Sequence, residues 1–530
     1  MTGTITLVVD GRECTIPDDG GSLLDALRDH AGVRTAKDGC APQGQCGCCT
    51  VLIDGQPRVA CVTAARRVAG RTVTTTAGLP AGRRAAWAAC LLATGGSQCG
   101  FCTPGIVARL DPLVTKLAAS PSPSSGAAGS SGAAGSAVDQ ALLAHHCRCT
   151  GWQTVREAAL LMTASATTPV AENAGRDLDA AGRRASIEGR SPQHVAALVA
   201  LGDAGFADDS APDDALVAVL APDGTWAVGE TMHEARVAAG KVQGRRTTIP
   251  LHWPVELPPG VWDRTLQTTW VEPAYLEPDA AWCRPGGEPV TSLANGGAFG
   301  GKTATVVGAA ARELADRHGR PVRALYARED VVRLGPKRPP LAIGADAGGR
   351  GVVRVVRTPG IAAVIAAVAP EWEVEEIDVA GPPTSASLRA AGWAEVVAVL
   401  ASLGERDVVT TPEGATAEVT IDADGTVHVE VSCGDPRDEI VLRSYCIGAV
   451  HQALGMVRSE GVAVDRHGEV HDLTIRSFGI LRAKDMPTVE VTIGSRGGAP
   501  VNGSDAVFAA TLAAAWRHAG HGPTWPAARR

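Results

Sequence analysis

Residues 39 to 61 read GCAPQGQCGCCTVLIDGQPRVAC, and an echo between Gln98 and Gly151 contains QCGFCTPG and later CRCTG. Cys40, Cys46, Cys49 and Cys61 offer one set of four sulfur ligands, and Cys99, Cys102, Cys147 and Cys149 offer a second. Soft thiolates suit iron, and a wide gap, a C-x-x-C pair and a distant fourth cysteine commonly frame a 2Fe-2S cluster. Such pairs also hold zinc, act as dithiols or simply fill space. Gly39, Gly44 and Gly47 around the crowded Cys46, Cys48 and Cys49 suit a loop whose backbone amides point at cluster sulfur, which favours iron over zinc, and structural disulfides fit less well still. Two clusters are therefore expected. Five residues separate Cys40 from Cys46 where the plant-type spacing has four. One extra loop residue is expected, absorbed at Gly44, with Cys48 outside the ligand set.

A chain of 530 residues allows three or four domains with substantial cores. Its net charge of -8 leaves no basic footprint, which argues against nucleic acid and anionic membranes as partners. Fourteen cysteines are too sparse for a disulfide scaffold in a chain this long. Cys14, Cys90, Cys283, Cys433 and Cys446 are scattered and read as buried small hydrophobes. The N-terminus enters a strand pattern at once, without a basic leader or apolar signal core, and the apolar run from Ile361 to Ala369 is too short to span a bilayer. A reducing, cytoplasmic location is expected.

Ile5, Leu7 and Val9 alternate with their neighbours before Asp10-Gly11, which predicts a hairpin with a second strand from Cys14 to Ile16. Ser22 is placed to cap a helix through Leu23, Leu24 and Leu27, with Asp25 completing a capping box. Thr50 to Ile53 and Arg58 to Val62 read as strands joined at Asp54-Gly55, putting Cys61 on a strand. Trp87, Leu91 and Leu92 share a helix face that stops at Gly95-Gly96, and Pro104 suits the first turn of the next helix. The segment from Ser120 to Ser136 is low in complexity and reads as a flexible insertion. A helix through Leu142 and Leu143 delivers Cys147 and Cys149, and another runs from Gln153 to Thr163. Residues 165 to 190 read as a linker. Beyond them a hairpin over Ala215 to Leu220 and Trp226 to Val228, then a helix from Glu230 to Val242, begin an α+β pattern without repeats.

The two cysteine segments resemble the iron-sulfur part of the molybdenum hydroxylases, the xanthine dehydrogenase and aldehyde oxidase family, over residues 4 to 165. QCG-x-C-T-P-G followed by C-R-C-T-G is specific for that family and marks the cluster nearer its molybdopterin. The resemblance implies an α+β multidomain chain: a β-grasp 2Fe-2S ferredoxin over 1-78, then a four-helix 2Fe-2S domain over 79-165 with a flexible insertion at 119-137. A linker over 166-190 and a shortened α+β molybdopterin-binding-subunit-like domain over 191-530 complete it. Within that last part, Gly296-Gly297-Ala298-Phe299-Gly300-Gly301-Lys302 is similar to the family's pterin loop, where glycine allows close backbone approach. Turns and bulges share that composition. Tyr275-Leu276-Glu277-Pro278 is similar to a stretch that sets a glutamate on the substrate-pocket wall, and Thr384-Ser385 through Arg389 and Gly392 to a cofactor loop. Glu277 is thus the candidate catalytic carboxylate, and Gln98, Gly297, Phe299, Gly300, Gly301 and Arg389 are candidate cofactor contacts. Glu277 and Arg389 read equally well as ordinary surface charges.

The family's catalytic glutamate has no counterpart. The nearest match to its motif, Arg496-Gly497-Gly498-Ala499-Pro500, places Ala499 where the carboxylate belongs. Loss of a general base costs roughly 10² to 10⁴ in rate unless Glu277 or Asp505 substitutes. The leading reading is an oxidoreductase that hydroxylates a purine-like N-heterocycle or an aldehyde with oxygen from water. Its electrons pass through both clusters to a separate FAD-binding subunit, because no G-x-G-x-x-G fingerprint follows a strand. The alternative is a non-catalytic electron-transfer subunit whose second half is a degenerate docking domain, with molybdopterin on a separate subunit. A zinc or redox-sensing protein is a third class.

Overall fold

Leu7 and Val9 point inward along β1 (Thr4–Val9) while Thr4 and Thr6 stay exposed, the two-residue alternation of a half-buried strand. Asp10 and Gly11 both take positive φ, 49° and 81°, and turn the chain tightly into β2 (Arg12–Pro17). In this computed structural model, which describes residues 3–119, 127–164, 173–241, 249–291, 297–302, 305–404, 408–494 and 497–527, the predicted capping box is present. The backbone amides of Asp25 and Ser22 each bond the other's side chain around α1 (Leu23–Asp25), which passes into a wider turn, Ala26–His30. With β3 (Thr50–Ile53), β4 (Gln56–Val59) and β5 (Thr72–Thr74) the sheet runs β2-β1-β5-β3-β4, β1 and β5 lying parallel. Cys61 stands in a 3-10 turn, Ala60–Val62, instead of on the expected strand, because β4 ends at Val59.

Four helices follow: α2 (Ala81–Thr94), α3 (Thr103–Ala119), α4 (Ala127–Ala141) and α5 (Gln153–Ala164). Gly95 closes α2 in the left-handed conformation, φ 68°, with its amide on the carbonyls of Leu91 and Leu92. The expected flexible insertion needs correction: residues 127–137 belong to α4, and 120–126 lie outside the described residues. Alanine favours helix, and the fully buried Val138 and Leu142 anchor the C-terminal end of this segment in the core. The linker expected over 166–190 is likewise replaced over much of its length by α6 (Leu178–Gly189), with residues 165–172 outside the description. Arg184 and Glu188 of α6 are fully buried and paired at 3.0 Å. Further partners, among them the carbonyls of Pro436 and Val501 and the amides of Gly503 and Ser504, come from residues about 250 or more positions away.

Among the described residues the second half holds three sheets. One runs β10 (Val290–Thr291), β9 (Ala280–Cys283), β11 (Val322–Leu325), β6 (Leu216–Leu220), β7 (Trp226–Gly229), with α7 (Val307–His318) packed on β9 and β11. The next runs β14 (Glu373–Ile377), β13 (Gly351–Val356), β12 (Leu341–Ala345), β8 (Arg264–Thr268), β19 (Thr524–Trp525). The last runs β15 (Val408–Thr410), β16 (Thr416–Ile421), β17 (Val427–Ser432), β18 (Val489–Ile493), against which α9 (Glu439–Arg458) and α10 (Ser504–His518) pack, while α8 (Trp393–Leu403) packs on α10, β8 and β12. Helix α9 is long and apolar enough to cross a membrane, yet 89% of its apolar window is buried inside the fold, the signature of a core helix.

One hydrophobic core joins both halves: the cysteine loops share it with Phe299, Val441, Tyr445, Ile475 and Phe478. Ion pairs reinforce the seam. Arg28 reaches Asp208 at 2.6 Å and Asp209 at 2.9 Å, and Arg323 binds Asp29 and, at 2.8 Å, Asp208.

Candidate metal centres

The loop from Gly39 to Cys49 turns at three left-handed positions: Ala41, φ 47°; Gly44, φ 68°; and Gly47, φ 74°. Those turns bring Cys40, Cys46, Cys49 and Cys61 together. Cys40 is in side-chain contact with Cys46 and Cys61, and Cys61 with Cys49. Backbone amides aim at the same sulfurs: Gln43 N–H donates to Cys40 Sγ at 3.1 Å and Cys61 N–H to Cys49 Sγ at 3.4 Å. A side chain at Gly39 would stand 3.1 Å from Cys46 Sγ and 3.0 Å from Cys48 Sγ, so glycine is what lets the loop close over the sulfurs. Cys48 touches Cys46 and stays outside the ring of four.

The second quartet is built between α2 and α3 and ahead of α5. Cys149 Sγ lies 3.7 Å from Cys99 Sγ; Cys147 touches both Cys102 and Cys149 and accepts or donates a bond with Thr150 Oγ1 at 3.2 Å. None of the eight thiols is more than 6% exposed, and all are free. Hydrogen bonds from Cys46 and Cys61 push the Cys40 thiol far down, while the same bonds, with burial, push Cys46 and Cys61 up. The second set repeats this, with Cys147 held down by Cys102 and Cys149, and those two raised. Four thiolates buried in contact repel one another, so full ionisation requires a cationic centre between them. The donor set, the dryness and the amides aimed at sulfur fit a 2Fe-2S cluster in each quartet.

Around the second quartet the structure assembles most of the expected contacts. Gln98 Nε2 donates to the Cys149 carbonyl at 3.1 Å and to Ser444 Oγ at 2.9 Å. Gly297, φ 82°, has no room for a side chain, since Cys149 Sγ would lie 2.6 Å from its Cβ. Gly300 is as tight against the Ser387 carbonyl, and Gly301 packs on Pro273. The Arg389 guanidinium lies 3.9 Å over the Phe299 ring, and Phe299 meets Tyr445 edge to face at 6.1 Å. Gly296, also expected here, lies outside the described residues. Sequence reasoning passed over Arg148, although it sits between two ligands: its guanidinium binds Glu460 through two bonds of 2.6 and 2.7 Å.

Phe299, Arg389, Arg148 and Gln452 line a cavity of about 40 Å³. That volume, as bounded by the described residues, holds about three water molecules, whereas a pyranopterin with its phosphate needs several times as much. The cavity as described does not fit molybdopterin. Neither candidate carboxylate serves it. Glu277 faces a different cavity, beside Asp38 and Ala41 of the first cysteine loop, and is paired with Lys302 at 2.7 Å, so the structure does not bring it together with Arg389. Asp505 is engaged by Arg190 and, at 3.2 Å, by Arg389. Ala499 is exposed on a loop packed against Gly434, and Arg496 lies outside the described residues.

The "[2Fe-2S] binding domain" family matches residues 75–160. The nicotinate dehydrogenase small FeS subunit of Eubacterium barkeri is 32% identical over 151 residues, 28% of this chain and 87% of that protein. The nicotine 6-hydroxylase small subunit of Paenarthrobacter nicotinovorans is 35% identical over 157 residues, 29% of this chain and 87% of that protein. In fold, aldehyde oxidoreductase from Desulfovibrio desulfuricans matches over 97% of each chain with a TM-score of 0.67 at 16% identity, so the likeness of the second half is one of architecture. With two converged thiol quartets in the N-terminal part and that architecture throughout, the chain belongs to the molybdenum hydroxylase family of the xanthine dehydrogenase and aldehyde oxidase type, as an iron-sulfur protein with two 2Fe-2S clusters.

Proposed function

We propose that this chain is an electron-transfer component of a molybdenum-hydroxylase-type oxidoreductase. It carries single electrons between a molybdopterin-bearing subunit that oxidises a small N-heterocycle or aldehyde and a flavin-bearing subunit that accepts them. The observation that carries this reading is a contrast. Both thiol quartets converge in dry surroundings, while the carboxylates that the described residues set around the cavity beyond the second are each ion-paired with a buried cation: Glu460 with Arg148, and Glu272 with Lys337 at 2.8 Å. Each cluster changes by one electron, so two in series divide a two-electron oxidation into steps that a flavin can collect. That fourteen cysteines are all unpaired supports a reducing, cytoplasmic location as part of the same proposal.

Metal analysis of the chain purified with its natural partners tests the assignment. About four irons per chain, two distinct 2Fe-2S signals in electron paramagnetic resonance, and molybdenum that separates with another subunit are expected. Stoichiometric molybdenum on the isolated chain would overturn it.

A further inference from the structure

One cysteine of the first cluster loop is left over. Cys48 is fully buried and free, and its thiol lies against Cys46, outside the ring of four. Its backbone is fixed on two sides: Lys37 N–H donates to its carbonyl at 3.3 Å, and a Cβ on Gly105 would come within 2.8 Å of the same oxygen. The side chain is held as closely. A Cβ on Gly39 would stand 3.0 Å from Cys48 Sγ and 3.1 Å from Cys46 Sγ, so the two sulfurs share one narrow space under the loop. The Cys46 carbonyl offers the thiol little, being 4.0 Å from Cys48 Sγ and already accepting the His146 amide at 2.9 Å. The Cys46 sulfur, as a charged ligand, is the stronger acceptor.

We propose that the Cys48 thiol donates a hydrogen bond to Cys46 Sγ and thereby raises the reduction potential of the first cluster. Cys48 acts through Cys46 and is not itself a ligand. An uncoordinated thiol buried away from water keeps its proton, so it has a hydrogen to give. Backbone amides serve two other ligands of the ring, Gln43 for Cys40 and Cys61 for Cys49, and the thiol does the same for Cys46. An added electron increases the negative charge on the ligand sulfurs, so each donor aimed at them stabilises the reduced cluster more than the oxidised one. Dry surroundings strengthen that preference. The thiol is within electrostatic reach of Cys102 and Cys147 as well, but its contact is with Cys46, so the first cluster alone carries the effect. A raised first potential favours electrons passing from the second cluster to the first, as in the reading above, although the hydrogen bond itself does not depend on that direction. One weak donor is expected to change the ratio of reduced to oxidised cluster about three- to tenfold at a fixed solution potential, or about 30 to 60 mV at 59 mV per decade for one electron.

The test uses the full chain with both clusters, whose potentials are measured by redox titration with electron paramagnetic resonance detection. Cys48→Ala and Cys48→Val both remove the donor, the first leaving space and the second filling it. Each is expected to lower the first potential by that amount and to leave the second unchanged. Cys48→Ser keeps a hydroxyl donor and is expected to stay nearer the unaltered protein than either. A role in packing alone would make Cys48→Val the nearest instead, and that order overturns the proposal. Unchanged potentials in all three variants overturn it too, as does a shift of equal size at both clusters. Should the variants lose the first cluster, infrared difference spectra of the unaltered protein decide. The S–H stretching band is expected to move to lower frequency as the first cluster is reduced, because its acceptor gains charge. A difference spectrum without an S–H feature overturns the hydrogen bond.

Discussion

Cys149 Sγ stands 2.6 Å from where a Cβ on Gly297 would lie, so a residue of the second half is pressed directly onto a ligand of the second quartet. Gly297→Val adds bulk into that sulfur and strains a φ of 82°, which by itself costs about 1 to 3 kcal/mol. The expected outcome is loss of one 2Fe-2S signal in electron paramagnetic resonance with the other retained. Two intact signals at full iron content would refute the contact.

Arg148 and Glu460 are buried together, 7% and 2% exposed. Arg148→Met strands the glutamate without its partner, and removal of one member of such a pair costs about 3 to 5 kcal/mol. Chemical denaturation of the single variant is expected to show that loss, while the double variant with Glu460→Leu recovers much of it. Equal stability of the two variants would mean the pair is not coupled.

Burial alone would push the Asp208 carboxyl up, but Arg28, Arg323 and Arg34 outweigh it and hold the group at about 2. Its folded value thus lies below the ordinary 3.8, so its contribution, about 2 kcal/mol, is present above pH 4 and disappears as pH falls through about 2. Asp208→Asn is expected to flatten the acid limb of a melting-temperature profile between those values. A limb that is unchanged in the variant would assign the acid sensitivity elsewhere.

Ala499, in the nearest match to the family's base motif, lies exposed on a loop. Ala499→Glu is expected to change stability by no more than about 0.5 kcal/mol and to leave molybdenum content and hydroxylase turnover where they were. A gain of turnover would place this loop in the reaction.

The cluster ligands were legible because much of their chemistry is local: the pairs Cys46 and Cys49, and Cys99 and Cys102, stand among glycines and further cysteines close in sequence. The capping box at Ser22 and Asp25 and the hairpin at Asp10-Gly11 were legible for the same reason. What escaped depended on distant partners. Helix α6 looks like a polar linker because Arg184 and Glu188 find their partners around Pro436 and Gly503, which no local pattern announces. Residues 127–137 look flexible by composition, and become helix through the core that Val138 and Leu142 enter. Which cavity Glu277 would face was not legible, since no local pattern announces that Lys302 pairs with it beside the first cysteine loop.

Helix α9 lies so close to the second quartet that a methyl on Gly448 would overlap the Cys149 carbonyl, at 1.8 Å. None of those four thiols is more than 6% exposed, so the inorganic centre is expected to be installed before the C-terminal half packs over it, and protein folded without iron is expected to take up a second cluster only after partial unfolding.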